Sequence, residues 1–178
     1  MTRAVAVLIV LGLFAVAVGA DAAEGWKRFV HPSQGFALSY PADWDVVQRK
    51  GVVGLAVVGP EIPGAGGMHV SVSVGSETMP RAMSLDQYES VTESKIALIF
   101  GGYQRLRTDR TQIGGHSAIL RYYTWRRNDG LGIYQMQLYT LAGRRAYVVT
   151  ATTTTTSPTL EQDAALLRRI MLTFTPGS

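Results

Sequence analysis

Three polar residues that could take part in catalysis occur at alternate positions of residues 68–74. His69, Ser71 and Ser73 are separated by valines, and side chains two positions apart lie on the same face of a strand. A serine hydrolase also needs a carboxylate that orients the histidine base, and no sequence feature supplies one. The chain has no cysteine and no Gly-x-Ser-x-Gly motif. A solvated strand face is the simpler interpretation, and we expect no enzymatic activity.

The residues able to bind metal are few and mostly scattered. The three histidines, at positions 31, 69 and 116, do not have the short spacing of a zinc site. Asp43 and Asp45 flank Trp44 and would point the same way in an extended segment, where their oxygens could hold calcium or manganese. The alternative is that an aspartate after Pro41 caps backbone N–H groups in a turn. We expect no metal or other cofactor, and keep Asp43 and Asp45 as weak candidate ligands.

A cluster of arginine and aromatic residues at 121–127 is the best candidate for a binding surface. Arg121, Tyr123, Trp125 and Arg127 share one face if this segment is a strand. Arginine, tyrosine and tryptophan are enriched in the residues that dominate protein interfaces. The alternative is a central strand that packs on both faces, with arginines extending to solvent at its ends. The glycine- and proline-rich loop at 60–67 is a second candidate surface. It lacks the Lys-Ser/Thr of a phosphate-binding loop.

The elements that must position these residues follow from hydrophobic periodicity. Strands are predicted at residues 26–30, 36–40, 45–48, 52–58, 68–74, 105–111, 116–126, 131–141 and 145–155. The unbroken apolar run at 52–58 is typical of a strand buried on both faces. Turn residues at 128–130 and 142–144 predict hairpins between the last three strands.

Two helices are predicted, each beginning with a capping box. Ser84 and Gln87 mark the first, which ends at the glycine pair 101–102, and Thr159 and Gln162 mark the second. The apolar stripe of the first helix comprises Leu85, Tyr88, Val91, Ile96 and Ile99. Strands, a helix, a meander of strands and a helix in this order predict an α+β fold with a mainly antiparallel sheet.

The N-terminus predicts export. Residues 1–22 have a basic start, a charge-free apolar stretch and the small-x-small sequence Ala20-Asp21-Ala22, as in a secretory signal peptide cleaved after Ala22. An uncleaved anchor is the alternative. Residues 23–178 then form a single domain in the periplasm or outside the cell. The net charge of +4 without a long basic run argues against nucleic acid as a partner.

The ordered set of segments resembles the PsbP family and its bacterial relatives of the DcrB and LpqN type. The segments that carry the resemblance are GFALSYPADW (35–44), VVGLAVVGP (52–60), MHVSVSV (68–74), TQIGGHSA (111–118), RAYVVTATTT (145–154) and the final IMLTF (170–174). The resemblance implies an α-β-α sandwich with a central antiparallel sheet. It also implies an extrinsic or periplasmic accessory role without established catalysis. Members in plants and cyanobacteria attach to photosystem II through a long basic extension. Here the predicted cleavage site is followed almost directly by Trp26, and the cysteine that anchors many bacterial members to lipid is missing.

The sequence therefore predicts an exported, non-enzymatic accessory protein of the cell envelope that works through protein–protein contacts. Its partner is an unidentified envelope protein or a small ligand, and no stable membrane span remains after signal cleavage. The alternative prediction is a module that binds a small ligand or a divalent cation in a pocket between sheet and helix. That alternative includes a photosystem II extrinsic role if the source is photosynthetic.

Overall fold

Two antiparallel sheets and two helices make up the part of the chain that the structure, a computed structural model, describes, residues 25–47 and 53–177. The predicted signal peptide lies outside these residues. The elements in chain order are β1 (Trp26–Val30), β2 (Ala37–Pro41), β3 (Asp45–Val47), β4 (Val53–Glu61), β5 (His69–Thr78), α1 (Leu85–Ile99), β6 (Gln104–Ile113), β7 (His116–Arg126), β8 (Gly132–Ala142), β9 (Arg145–Thr154) and α2 (Leu160–Leu172).

Seven strands form the main sheet, in the order β3-β4-β5-β9-β8-β7-β6, and β1 pairs with β2 as a separate hairpin. Every pair of neighbouring strands among the described residues is antiparallel. The hairpins predicted between β7, β8 and β9 are confirmed by continuous pairing, from Arg126 opposite Gly132 and from Ala142 opposite Arg145. The helices lie on opposite faces of this sheet, so the predicted α-β-α sandwich is confirmed.

The main hydrophobic core lies between the sheet, α2 and the β1–β2 hairpin. Leu167, Ile170 and Met171 of α2 are fully buried there, in a cluster that includes apolar side chains of β2 and of six strands of the main sheet. The C-terminal segment fastens the hairpin, because Ala37 and Thr175 exchange two backbone hydrogen bonds of 2.9 Å. Burying this apolar surface is the main source of stability for the fold.

The opposite face of the sheet carries only a small apolar cluster. Tyr88 and Ile96 are the buried residues of α1, and Tyr88 packs in a cluster that includes Ile119 and Tyr139 of the sheet. The prediction that Val91 and Ile99 belong to the buried stripe was wrong, since they are 49% and 71% exposed. The reason is that the sheet face beneath α1 is largely polar, so the helix buries few apolar side chains.

The prediction that β4 is buried on both faces was also wrong, because one face of the sheet is largely polar. Leu55 and Val57 are fully buried in the main core, whereas Ala56 and Val58 are half-buried. The strand is therefore buried on one face only. Ala56 and Val58 pair with Ser73 and Ser71 of β5 on the polar side of the sheet.

The two helix N-termini differ from each other. At α1 the predicted capping box is confirmed: Ser84 and Gln87 exchange hydrogen bonds between side chain and backbone. At α2 the prediction was wrong, since the side chain of Thr159 makes no capping bond. Its hydroxyl donates instead to the carboxylate of Asp163, at 3.1 Å.

Candidate partner-binding surface

Of the four residues predicted to form a binding face, Arg121, Tyr123 and Trp125 lie on one side of β7 and Arg127 directly follows the strand, but they differ in how deeply they are buried. Arg121 and Tyr123 have no exposed surface, because α1 lies over them. Trp125 and Arg127, further along toward the β7–β8 turn, remain partly exposed. The prediction of a partner-binding role for Arg121 and Tyr123 is therefore corrected: a partner cannot reach them while α1 is in place.

Arg121 is the centre of a polar network between the sheet and α1. Its guanidinium donates to the carboxylate of Glu89 and to the Glu89 carbonyl oxygen, the latter at 2.9 Å. It also donates to the hydroxyl of Tyr139 at 3.1 Å and lies 3.7 Å from the Glu93 carboxylate. A buried guanidinium needs such partners because desolvation of an unpaired charge is very unfavourable. We call Arg121, Glu89, Glu93 and Tyr139 the Arg121 network.

Two chains of hydrogen bonds extend across the sheet from this side. Tyr139 donates to Gln137, whose amide donates to Thr150 at 3.2 Å. In parallel, the indole N–H of Trp125 donates to Gln135 at 2.8 Å, and Gln135 donates to Thr152 at 2.9 Å. The second chain fixes the orientation of the Trp125 ring.

Trp125 is half-buried because an aromatic residue of α1 covers one of its faces. Phe100, the C-cap of α1, stacks on Trp125 with 4.3 Å between ring centroids and 10° between planes. The turn that follows α1 is bonded to β7 through the Arg126 N–H, which donates to the Gly101 carbonyl at 2.8 Å. The end of α1 and the end of β7 therefore form one surface.

Arg127 lies at the same end of the sheet as the glycine-rich loop. Its guanidinium forms a two-bond ion pair with Asp129, at 2.9 and 2.5 Å. A methyl group added to Gly66 would lie 3.6 Å from the same guanidinium. The two surfaces that the sequence offered as alternatives, β7 and the 60–67 loop, are therefore neighbours. A cleft of about 130 Å³ opens beside the end of β7, with Trp125, Arg126 and Thr155 among its lining residues.

Large apolar side chains are exposed next to this stack. Leu98 is 86% and Ile99 is 71% exposed, directly before Phe100 in the chain. We call Leu98, Ile99, Phe100, Trp125 and Arg127 the aromatic end. Sequence reasoning missed Leu98 and Phe100 and assigned Ile99 to the core. The available signal was the run of five apolar residues at 96–100, directly before the glycine pair at 101–102, which is longer than one buried stripe of a helix requires.

The remaining candidates are not brought together into a catalytic or metal site. Nδ1 of His69 lies 2.8 Å from the Gly59 carbonyl oxygen, and Ser71 and Ser73 lie along the half-buried polar face. Asp43 lines a cavity beside α2, whereas Asp45 is in β3 opposite Val58, so the two carboxylates occupy different surroundings. Within residues 25–47 and 53–177, no group of three or more His, Asp or Glu side chains could hold a metal ion.

A match of the sequence to a family model identifies the family. The DcrB family model matches residues 62–173, more than half of the chain, and the chain therefore belongs to the DcrB family. No curated protein sequence matches the chain at a significant level. Over the described residues, no helix is long and apolar enough to cross a membrane.

Solved structures with low sequence identity share the fold. The cyanobacterial PsbP protein, CyanoP, of Synechocystis has a TM-score of 0.65 at 14% identity, and the match covers 93% of this chain and 99% of that one. PA94 of Pseudomonas aeruginosa, a protein of unknown function, has a TM-score of 0.59 at 19% identity and coverages of 80% and 92%. LpqN of Mycobacterium tuberculosis, which is involved in cell envelope biogenesis, has a TM-score of 0.60 at 12% identity and coverages of 85% and 91%.

Proposed function

We propose that this protein is an exported, non-enzymatic accessory protein of the cell envelope that binds another envelope protein through its aromatic end. The observation that carries the proposal is the exposure of Leu98 and Ile99 beside the Phe100–Trp125 stack. Single exposed apolar residues are common on protein surfaces, but a cluster of them marks an interaction site. Export is supported by the signal-like residues 1–22 and, as an analogy, by the envelope role of LpqN.

The chemistry of the aromatic end suits a protein partner. Aromatic and arginine side chains dominate interface energetics because they bury large areas and still offer hydrogen bonds. Trp125 is held in one orientation by Gln135 and Phe100, so little side-chain entropy would be lost on binding. The cleft beside Trp125 can receive a side chain of the partner. Arg126 and Lys95 are exposed nearby, so we expect the partner to present an apolar surface flanked by carboxylates.

Site-specific photo-crosslinking in the native envelope tests the proposal. A photoreactive phenylalanine analogue replaces Leu98 in one variant and Val30 in another. Val30 is 55% exposed on the β1–β2 hairpin and serves as a matched apolar control. We expect a discrete adduct with one envelope protein from position 98 and none from position 30. Absence of an adduct at position 98, or the same adduct from both positions, would refute the proposed surface.

A further inference from the structure

A cavity of about 360 Å³ is lined by residues of α2, the β1–β2 hairpin, the segment just before β3, and β4 and β5. Its apolar walls are formed by Trp26, Pro41, Trp44, Pro60, Val70 and Leu166. This volume falls within the range of small-molecule sites, about 300–1,000 Å³. The cavity is on the α2 side of the sheet, whereas Trp125 and α1 are on the other side. It is therefore independent of the aromatic end.

Three charged side chains also line the cavity: Asp43, Asp163 and Arg169. The carboxylate of Asp163 already accepts three hydrogen bonds within the protein. The donors are the hydroxyls of Ser157 at 2.7 Å and of Thr153 and Thr159 at 3.1 Å. Asp43 is exposed. In the described part of the chain, the ion pairs within 4.0 Å do not include either aspartate. Two carboxylates and one guanidinium give the cavity a net negative charge, which favours a cationic ligand.

The position of Arg169 shows how a cation fits this cavity. Its guanidinium carbon lies 4.5 Å from the centroid of the Trp26 ring, over the half-buried indole. The negative face of an indole attracts a cation at this distance, and tryptophan is the strongest such partner among the aromatic residues. No carboxylate among the described residues forms an ion pair with Arg169. The guanidinium is therefore held weakly, and a ligand cation can take its place.

We infer that this cavity binds a monovalent organic cation, an alkylammonium or guanidinium group. The cation stacks on Trp26 in place of Arg169 and pairs with the carboxylate of Asp43. The prolines and Leu166 contact the alkyl groups of the ligand. A divalent metal fits less well, since it would need further oxygen ligands and the Asp163 carboxylate already accepts hydrogen bonds from three hydroxyls. The group could belong to a free amine or to a lysine or arginine side chain of a peptide.

Nuclear magnetic resonance of the indole N–H groups tests the inference on the full chain. The three tryptophans, at positions 26, 44 and 125, give three signals. Tetramethylammonium represents the free amine, and the Nα-acetyl amides of lysine and arginine represent peptide side chains. The neutral isostere tert-butanol is the control. We expect saturable shifts of the Trp26 and Trp44 signals with at least one cation, none with tert-butanol, and no change at Trp125. The probe that binds most tightly identifies the source of the cation.

Three variants make the test specific. Asp43→Asn should raise the dissociation constant at least fivefold, and Asp45→Asn, the matched exposed carboxylate in β3, should leave it unchanged. Arg169→Gln should lower the dissociation constant, because it removes the competing guanidinium. The inference would be overturned by the absence of saturable shifts with all three cations, by equal shifts with tert-butanol, by equal effects of the two aspartate variants, or by weaker binding in Arg169→Gln. The experiment needs only this protein and the small probes, without the envelope partner. Its outcome is therefore independent of the test of the aromatic end.

Discussion

Trp44 ends the segment GFALSYPADW and is a structural residue. It is 5% exposed in the main core, and its indole ring lies directly on the backbone of Gly59. A methyl group added to Gly59 would lie 2.4 Å from a carbon atom of this ring. No side chain other than hydrogen fits there without moving the tryptophan. Trp44 therefore has a structural role, in addition to forming part of the wall of the cavity beside α2.

Replacement of Trp44 by alanine is expected to lower the free energy of unfolding by about 3–5 kcal/mol, the usual range for a large aromatic residue removed from a core. Gly59→Val should also be destabilising, because it displaces the same ring. Urea denaturation measures both effects. Trp125→Ala is the control and should cost less, since Trp125 is only half-buried. If Trp44→Ala cost less than Trp125→Ala, the structural role given to Trp44 would be wrong.

The ion pair between Arg127 and Asp129 has a titration signature. The guanidinium of Arg127, followed by the backbone N–H of Leu131, lowers the pKa of Asp129 to about 2. The pKa of an unperturbed aspartate is about 3.9. Any stability that the pair contributes is therefore present above that value and is lost as the pH falls toward 2. The carboxyl carbon shift of Asp129 should report this pKa, and Arg127→Gln should return it toward the ordinary value. An unchanged pKa in that variant would contradict the pairing.

At the scale of elements, α1 is attached to the sheet mainly by polar contacts. Tyr88 and Ile96 are its buried residues, while Glu89 and Glu93 bind the fully buried Arg121. Removing one partner of a buried ion pair leaves the other charge uncompensated, which is more harmful than replacing both. The Arg121 network therefore decides whether α1 stays docked.

Glu89→Met should lower the free energy of unfolding by about 3 kcal/mol, since it leaves the more distant Glu93 as the remaining carboxylate of the Arg121 network. The double variant Glu89→Met/Arg121→Met should recover most of that loss, because two apolar side chains can pack where the ion pair was. Chemical denaturation of the single and double variants gives the coupling energy. Additive losses in the double variant would show that the two residues do not act as a pair.

Most elements were predictable from sequence because their signals are local. The bounds of β7 at His116 and Arg126 follow from β propensity and two turns, and the cap at Ser84 follows from Gln87 three residues later. The wrong predictions concern which face of a helix or strand is buried and which element covers it. Nothing local in β7 indicates that α1 would bury Arg121 and Tyr123, since burial there depends on a helix more than twenty residues earlier in the chain.

At the scale of the whole molecule, the two faces of the sheet differ in composition and in the role that we assign to them. The α2 face holds the main apolar core, and the α1 face holds tyrosines, glutamines and an ion-pair network. Antiparallel sheets commonly keep one polar face, and here that face supports the aromatic end. The stability of the fold depends chiefly on the first face, and the proposed binding depends on the second.

The tyrosines of the α1 face predict a loss of stability at alkaline pH. Burial raises the pKa of Tyr88, Tyr123 and Tyr139 above the ordinary tyrosine value of about 10. Burial and the hydrogen bond to Glu93 raise the pKa of Tyr103 to about 12. The folded state therefore holds these protons more tightly than the unfolded state. Stability should be fully present below about pH 10 and should fall as the pH rises above it. Urea denaturation at neutral and strongly alkaline pH checks this, and equal midpoints would contradict it.

The central claim, that the aromatic end is the contact surface for an envelope protein, is tested most directly by affinity. The partner identified by crosslinking is purified and titrated with the wild-type chain, Leu98→Asp and Val30→Asp. Leu98 is 86% exposed, so its replacement should leave the fold intact and act on binding alone. We predict that Leu98→Asp raises Kd at least tenfold, about 1.4 kcal/mol, while Val30→Asp leaves Kd unchanged. An unchanged Kd for Leu98→Asp, or an equal loss in both variants, would contradict the claim.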